Sequence, residues 1–153
     1  MNLLFDVIKR LSDKTLATAE SLTGGGIGAV LTAVPGSSAV YKGGIISYTN
    51  EIKMNILGVS AALLESEGAV SAPVAAEMAA GARKILNTDV AVSVTGLAGP
   101  GGDEFGHPVG TVYIGYQDLH RTAVHHYCFE GDRDAVRAQT ICAALKLILE
   151  YNA

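Results

Sequence analysis

The spacing of apolar residues divides the chain into helices separated by short strands. From Leu3 to Leu11, apolar residues recur every three or four positions with charged residues between them, which predicts an amphipathic first helix. A proline in the first turn opens an alanine-rich helix over Pro73 to Leu86. The predicted helices are 3–11, 26–33, 50–57, 60–67, 73–86 and 132–150.

The remaining apolar runs are short and have strand character. Asp89 to Val94 is β-branched and uncharged after its first residue, which predicts a central strand covered on both faces. Residues 109–116 and 122–129 are predicted to form an antiparallel hairpin, and 15–19 and 39–48 are the other strands. Helices on both faces of a mixed sheet account for all these elements. We therefore predict an α/β fold, a single-domain α/β/α sandwich that spans residues 1–153.

Composition excludes several classes of protein. The 153 residues are 49% hydrophobic and 17% charged, which indicates a folded domain, and no apolar run is long enough for a membrane span. The net charge of −4 and the lack of a Lys/Arg cluster argue against nucleic acid as a partner. Cys128 and Cys142 lie on different predicted elements without metal spacing, and the first residues do not resemble a signal peptide. We expect a cytoplasmic protein with free thiols.

The stretch from Thr18 to Gly26, with the sequence TAESLTGGG, is the main candidate for chemistry. A strand that turns into a helix here would expose the Ser21 hydroxyl beside backbone N–H groups of Thr23, Gly24 and Gly25. The helix dipole favours negative charge at this point, which suits an attacking serine and a developing oxyanion. The alternative is that Ser21 is an ordinary helix N-cap and that the glycines only permit a tight turn.

A nucleophilic serine needs a base, and lysine is the better candidate. None of the four histidines has a convincing aspartate partner, whereas a lysine with a lowered pKa can take the proton. Lys42 and Lys53 are the candidates, but Lys42 is about 20 Å along the strand from Tyr48, so these two cannot serve one serine. Ser21, Tyr48 and Lys53 form a self-consistent group. Each could instead be an ordinary surface residue.

Two further features could bind an anionic ligand. The loop 95–102 follows the predicted central strand and contains glycines whose N–H groups could face an anion. Arg133 and Arg137 lie in the opening turns of the last helix, where a cation opposes the helix dipole unless it faces an anion. The alternatives are an exposed tight loop, and pairing of the arginines with neighbouring acidic side chains.

Four motifs in order resemble the C-terminal domain of the competence- and damage-inducible protein CinA. They are AESLTGG at 19–25, YKGG through YTN at 41–50 with Lys53 and the LGV of 57–59, VTGLAGPGG at 94–102, and GDR at 131–133 with Val136 and Arg137. The resemblance covers nearly the whole chain. Many members carry a second, N-terminal domain, but this sequence resembles only the C-terminal one. We therefore expect only the activity of the C-terminal domain.

The resemblance implies a nicotinamide-nucleotide amidohydrolase, which converts nicotinamide mononucleotide and water to nicotinate mononucleotide and ammonia. The family uses a serine nucleophile with a lysine, and Ser21, Tyr48 and Lys53 fall on those positions. No metal or cofactor is expected, and a homodimer is favoured. A non-catalytic nucleotide-binding module and an amidase for another small carboxamide are the alternatives. The predicted substrate-binding residues are Thr23, Gly24, Gly25, Lys42, Asn50, Gly96, Ala98, Gly99, Gly101, Arg133 and Arg137.

Overall fold

A computed structural model describes residues 2–153, which form one mixed sheet and six α-helices. The strands are β1 (Leu16–Glu20), β2 (Tyr41–Ile46), β3 (Val90–Gly96), β4 (Thr111–Gln117) and β5 (Thr122–Cys128). The helices are α1 (Leu3–Arg10), α2 (Gly26–Thr32), α3 (Asn50–Asn55), α4 (Ala61–Ser66), α5 (Ala72–Leu86) and α6 (Arg133–Tyr151). A 3₁₀ turn occupies Ser37–Ala39, so β2 begins two residues later than predicted.

The strand order in the sheet is β2-β1-β3-β4-β5. β1 pairs in parallel with both β2 and β3, whereas β4 and β5 form the predicted antiparallel hairpin. β3 is therefore the central strand, and the first six of its seven residues are buried. The carboxyl ends of the three parallel strands meet at one edge of the sheet, where ligands bind in open α/β sheets.

Helices cover both faces of the sheet, which confirms the predicted α/β/α sandwich. Buried residues of α1, α2 and α6 form one core with the strands, and α5 forms the second core with the segment around α3 and α4. The alanine-rich side of α5 lies against the sheet rather than on the surface, with Ala75, Ala79 and Ala82 fully buried. Within residues 2–153, none of the helices has the length and apolar character needed to cross a bilayer.

The close approach of α5 to the sheet depends on small residues. The Ser93 hydroxyl donates to the Ala75 carbonyl at 2.6 Å, and a Cβ added at Gly115 would lie 2.4 Å from the same oxygen. Side chains larger than these would push α5 away from β3 and β4. The packing of α5 therefore fixes the strand whose end carries the 95–102 loop.

Candidate active site

A cavity of about 580 Å³ opens at the carboxyl ends of β1, β2 and β3. Its walls come from the residues that follow each of these strands, from the α4–α5 connection and from the start of α6. Ser21 and Lys53 lie in this cavity, as do five of the predicted substrate-binding positions besides Arg133. Those five are Asn50, Gly96, Ala98, Gly99 and Gly101.

Ser21 and Lys53 are in direct contact. The Lys53 ammonium nitrogen Nζ lies 2.9 Å from the Ser21 hydroxyl oxygen Oγ, and it also donates to the carbonyls of Ser47 at 2.8 Å and Tyr48 at 3.5 Å. The Lys53 side chain is only 1% exposed. This is the nucleophile-to-base geometry that covalent catalysis by an activated serine requires.

Local structure fixes both partners. The Ser21 N–H donates to the Val94 carbonyl at 3.1 Å, which holds the end of β1 against β3. Thr49 caps α3, accepting from the Ile52 N–H at 3.4 Å, and its carbonyl accepts from the Lys53 N–H at 3.0 Å. Lys53 consequently projects from the first turns of a short, capped helix toward the end of the neighbouring strand.

The surroundings of Lys53 favour its neutral form. Within residues 2–153, no carboxylate forms an ion pair with its ammonium group. Burial without a counter-ion disfavours the charged form and lowers the pKa of Lys53 to about 8. About a tenth of the molecules would then hold a neutral amine near pH 7. Lys53 can therefore act as a general base at neutral pH.

The Glu20 carboxylate lies at the N-terminus of α2, where the sequence predicted that the oxyanion of the reaction would bind. Its side chain is 2% exposed and accepts from the Thr23 hydroxyl at 2.6 Å and from the N–H groups of Ile27 at 2.8 Å and Gly28 at 3.0 Å. The N-terminus of α2 is thus already occupied by a carboxylate, so the predicted use of its dipole for the oxyanion is wrong. The signal was present in the sequence, since an acidic residue ends a run of buried strand residues and must find donors there.

The glycines after Ser21 do not line the cavity. The Gly24 N–H donates to the Ser21 carbonyl at 3.1 Å, and neither Gly24 nor Gly25 forms part of the cavity wall. Leu22 does line the cavity, and its N–H makes no hydrogen bond within the described chain. The Leu22 N–H is therefore a better candidate for an oxyanion donor than the N–H groups of Thr23, Gly24 or Gly25.

Tyr48 lies at the mouth of the cavity rather than between Ser21 and Lys53. Its side chain is 57% exposed, and its hydroxyl accepts from Arg133 Nη2 at 3.1 Å. Arg133 Nη1 donates to the Gly99 carbonyl at 2.7 Å, so the guanidinium connects the loop that contains Gly99 to Tyr48 across the opening. The predicted group of Ser21, Tyr48 and Lys53 is corrected accordingly: Lys53 contacts Ser21 directly, and Tyr48 does not lie between them.

Two other residues that were predicted to bind the substrate, Arg137 and Lys42, lie outside the cavity. Arg137 lies one turn beyond Arg133 and donates to the carbonyls of Leu22 at 2.9 Å and Thr23 at 3.2 Å, so it supports the serine loop from behind. Lys42 is exposed, contacts the Ser38 carbonyl at 3.4 Å and lies near the start of β2, away from the carboxyl end that carries the cavity. Both residues are outside the cavity wall, and Lys42 is excluded as the base.

The family model of the CinA C-terminal domain matches residues 3–152. The chain belongs to the CinA C-terminal domain family. A CinA-like protein of Citrifermentans bemidjiense is 48% identical over 145 residues, which are 95% of this chain and 35% of that protein. A CinA-like protein of Thermosynechococcus vestitus is 48% identical over 151 residues. The chain thus spans about a third of the length of the curated relatives it matches.

Solved structures of CinA superfamily proteins have the same fold. The competence-damaged protein of Enterobacter cloacae superposes with a TM-score of 0.96 at 33% identity and covers 99% of this chain and 90% of its own. The competence/damage-inducible protein of Agrobacterium tumefaciens gives a TM-score of 0.92 at 34% identity, covering 100% of this chain and 98% of its own.

The loop 103–105 of this CinA domain also forms part of the cavity wall, although none of its residues is among the predicted substrate-binding residues. Asp103, Glu104 and Phe105 line the cavity, and the Asp103 carboxylate holds the loop by contacting His107 Nδ1 at 2.6 Å. Phe105 packs against Gly68, where an added Cβ would lie 2.6 Å from its ring. The cavity is therefore lined by the Ser21–Lys53 pair together with one aromatic and two acidic side chains from this loop.

Proposed function

We propose that this CinA domain is a nicotinamide-nucleotide amidohydrolase, which hydrolyses nicotinamide mononucleotide to nicotinate mononucleotide and ammonia. The observation that carries the proposal is the 2.9 Å contact between the buried Lys53 nitrogen and the Ser21 hydroxyl inside a cavity of about 580 Å³. A cavity of this size lies within the usual range for small-molecule ligands. The choice of nicotinamide mononucleotide as the substrate comes from the family resemblance.

The reaction proceeds through an acyl-enzyme. Neutral Lys53 accepts the proton of Ser21 as Oγ attacks the carboxamide carbon, and the carbonyl oxygen becomes an oxyanion held by the Leu22 N–H. Each such donor is worth about 3 kcal/mol in other acyl-transfer enzymes. The C–N bond then breaks, and Lys53 gives its proton to the leaving ammonia. Water, deprotonated by Lys53, attacks the ester and releases the carboxylate product and the Ser21 hydroxyl.

Arg133 is suited to the nucleotide phosphate. It is an exposed cation on the cavity rim, and its present acceptors, a carbonyl and a phenol, are neutral. An anionic oxygen would be a stronger acceptor for the same donors. Tyr48, which contacts Arg133, would hold the guanidinium toward the opening.

Replacing Arg133 with glutamine is expected to raise the KM for nicotinamide mononucleotide by between about 10- and 100-fold, with kcat changed much less. The reason is the loss of a charge-assisted hydrogen bond that both the ground state and the transition state make. Steady-state kinetics measure the changes in KM and kcat separately. Arg83→Gln, a substitution remote from the cavity, is the matched control and should leave KM unchanged. An unaltered KM in Arg133→Gln would remove this arginine from substrate binding.

The assignment is tested by ammonia release from nicotinamide mononucleotide, using purified protein pretreated with a chelator. We expect one ammonia for each nicotinate mononucleotide formed. A folded protein that is stabilised against heat by the nucleotide but releases no ammonia would instead be a binding module. Release of ammonia only from other carboxamides in a panel would assign a different amidase.

A further inference from the structure

Glu20 is a buried carboxylate whose partners are all neutral donors. Its Oε1 accepts from the Thr23 hydroxyl at 2.6 Å and the Ile27 N–H at 2.8 Å. Its Oε2 accepts from the Gly28 N–H at 3.0 Å and the Thr18 hydroxyl at 3.2 Å. Within residues 2–153, no Lys, Arg or His forms an ion pair with it. Both oxygens are therefore fully committed to the strand, the loop and the first turn of α2.

The contacts between Glu20 and the first turn of α2 stabilise both partners. A buried carboxylate is costly unless hydrogen bonds replace its hydration, and the first N–H groups of a helix have no acceptor within the helix. Glu20 satisfies two of those groups at α2 while the helix dipole stabilises its charge. The consequence is a rigid connection between the residue directly before Ser21 and the helix that follows the serine loop.

The backbone of Glu20 connects the nucleophile to the base. Its carbonyl accepts from the Ser47 N–H at 2.9 Å, and the Ser47 carbonyl accepts from Lys53 Nζ at 2.8 Å. A change in the path of the chain at Glu20 would consequently move Ser21 relative to Lys53. It would also reorient the Leu22 N–H, which lies two residues along the same turn.

We propose that Glu20 is a positioning residue for the reaction at Ser21. Its side chain fixes the loop from Ser21 to Gly26 through Thr23 and α2, so that the Ser21 hydroxyl stays within hydrogen-bond distance of Lys53 and the Leu22 N–H faces the attacked carbonyl. Displacements of about 1 Å in such a group can cost about 100-fold in rate. The inference rests on Ser21 being the nucleophile, which is part of the proposed function.

The test measures the reactivity of Ser21 without depending on the substrate. The rate at which a fluorophosphonate labels Ser21 is followed across pH in the full chain, with the modified residue identified by mass spectrometry and Ser21→Ala as the blank. The variants are Glu20→Gln and a matched pair, Thr23→Val and Thr18→Val. Each threonine variant loses one hydrogen bond to Glu20, but Thr23 lies in the loop and Thr18 lies in β1.

We expect Glu20→Gln to label at least about 10-fold more slowly, because an amide nitrogen would face donors that need an acceptor. Thr23→Val should also label more slowly, whereas Thr18→Val should keep the wild-type rate even where its melting temperature falls. The pH midpoint should stay near the Lys53 pKa of about 8 in every variant, because Glu20 acts on position rather than on the base.

Three results would overturn the proposal. One is a wild-type labelling rate in folded Glu20→Gln, or in Thr23→Val where Glu20→Gln does not fold. Another is equal slowing in Thr18→Val and Thr23→Val in proportion to lost stability, which is the behaviour of a merely structural residue. The third is a wild-type Ser21 that does not react. Normal labelling of the wild type without ammonia release would refute the proposed substrate and leave the role of Glu20 intact.

Discussion

Replacing Ser21 with alanine is expected to reduce ammonia release from nicotinamide mononucleotide by about 10⁴-fold or more. In the proposed reaction the Ser21 hydroxyl oxygen forms the bond to the substrate. Without it, Lys53 has no proton to accept and the Leu22 N–H has no oxyanion to stabilise. The fold should persist, since within residues 2–153 the Ser21 hydroxyl forms a hydrogen bond only with Lys53, which keeps the Ser47 carbonyl as an acceptor. Initial rates with purified protein, together with thermal unfolding, measure both expectations.

Ser66→Ala is the matched control for this loss. Ser66 is an exposed residue at the end of α4 and lies outside the cavity wall, so its variant should retain the full rate. A Ser21→Ala protein that turns over at a near-normal rate would exclude the serine mechanism, whatever the substrate.

Replacing Lys53 with methionine should remove activity and make the protein more stable near neutral pH. The base is lost, which costs about 10² to 10⁴ in rate. The stability gain follows from the pKa: folding lowers it from about 10.4 to about 8, so below about pH 8 the folded chain holds a buried cation at a cost of about 3 kcal/mol. Methionine has a similar length and needs no hydration. Denaturant unfolding near pH 7 compares the two proteins.

The lowered pKa of Lys53 also predicts how the free energy of unfolding changes with pH. Between about pH 8 and about pH 10.4 the unfolded chain binds the Lys53 proton and the folded chain does not, so the free energy of unfolding should rise with pH in this range. Lys53→Met should lack that part of the rise. Equal slopes for the wild type and Lys53→Met would show that the folded-state pKa is not lowered.

The rate should follow the neutral form of Lys53. We expect kcat/KM to increase about tenfold per pH unit below the midpoint, which should lie near pH 8, and to level off above it. A profile that is flat from about pH 6 to about pH 9 would remove Lys53 from the role of base, even if Ser21→Ala were inactive.

The sequence by itself determined the elements and their layers. The apolar period identified every α-helix within a few residues, including the start of α6 beside Asp132, because this feature depends on neighbours along the chain. The uncharged, β-branched run before Thr95 identified the central strand for the same reason, since burial on both faces leaves no polar alternation. The motifs also brought Ser21 and Lys53 into one hypothesis.

Only the tertiary structure decided which groups meet. The sequence preferred Lys53 to Lys42 as the base but left both open, and the parallel register of β2 on β1 placed Lys42 away from the cavity end of the sheet. Arg133 and Arg137 are one turn apart on the same side of α6, and packing against the serine loop directed the first to the cavity and the second behind it. Such outcomes depend on distances of a few ångströms between segments remote in sequence, which local patterns do not encode.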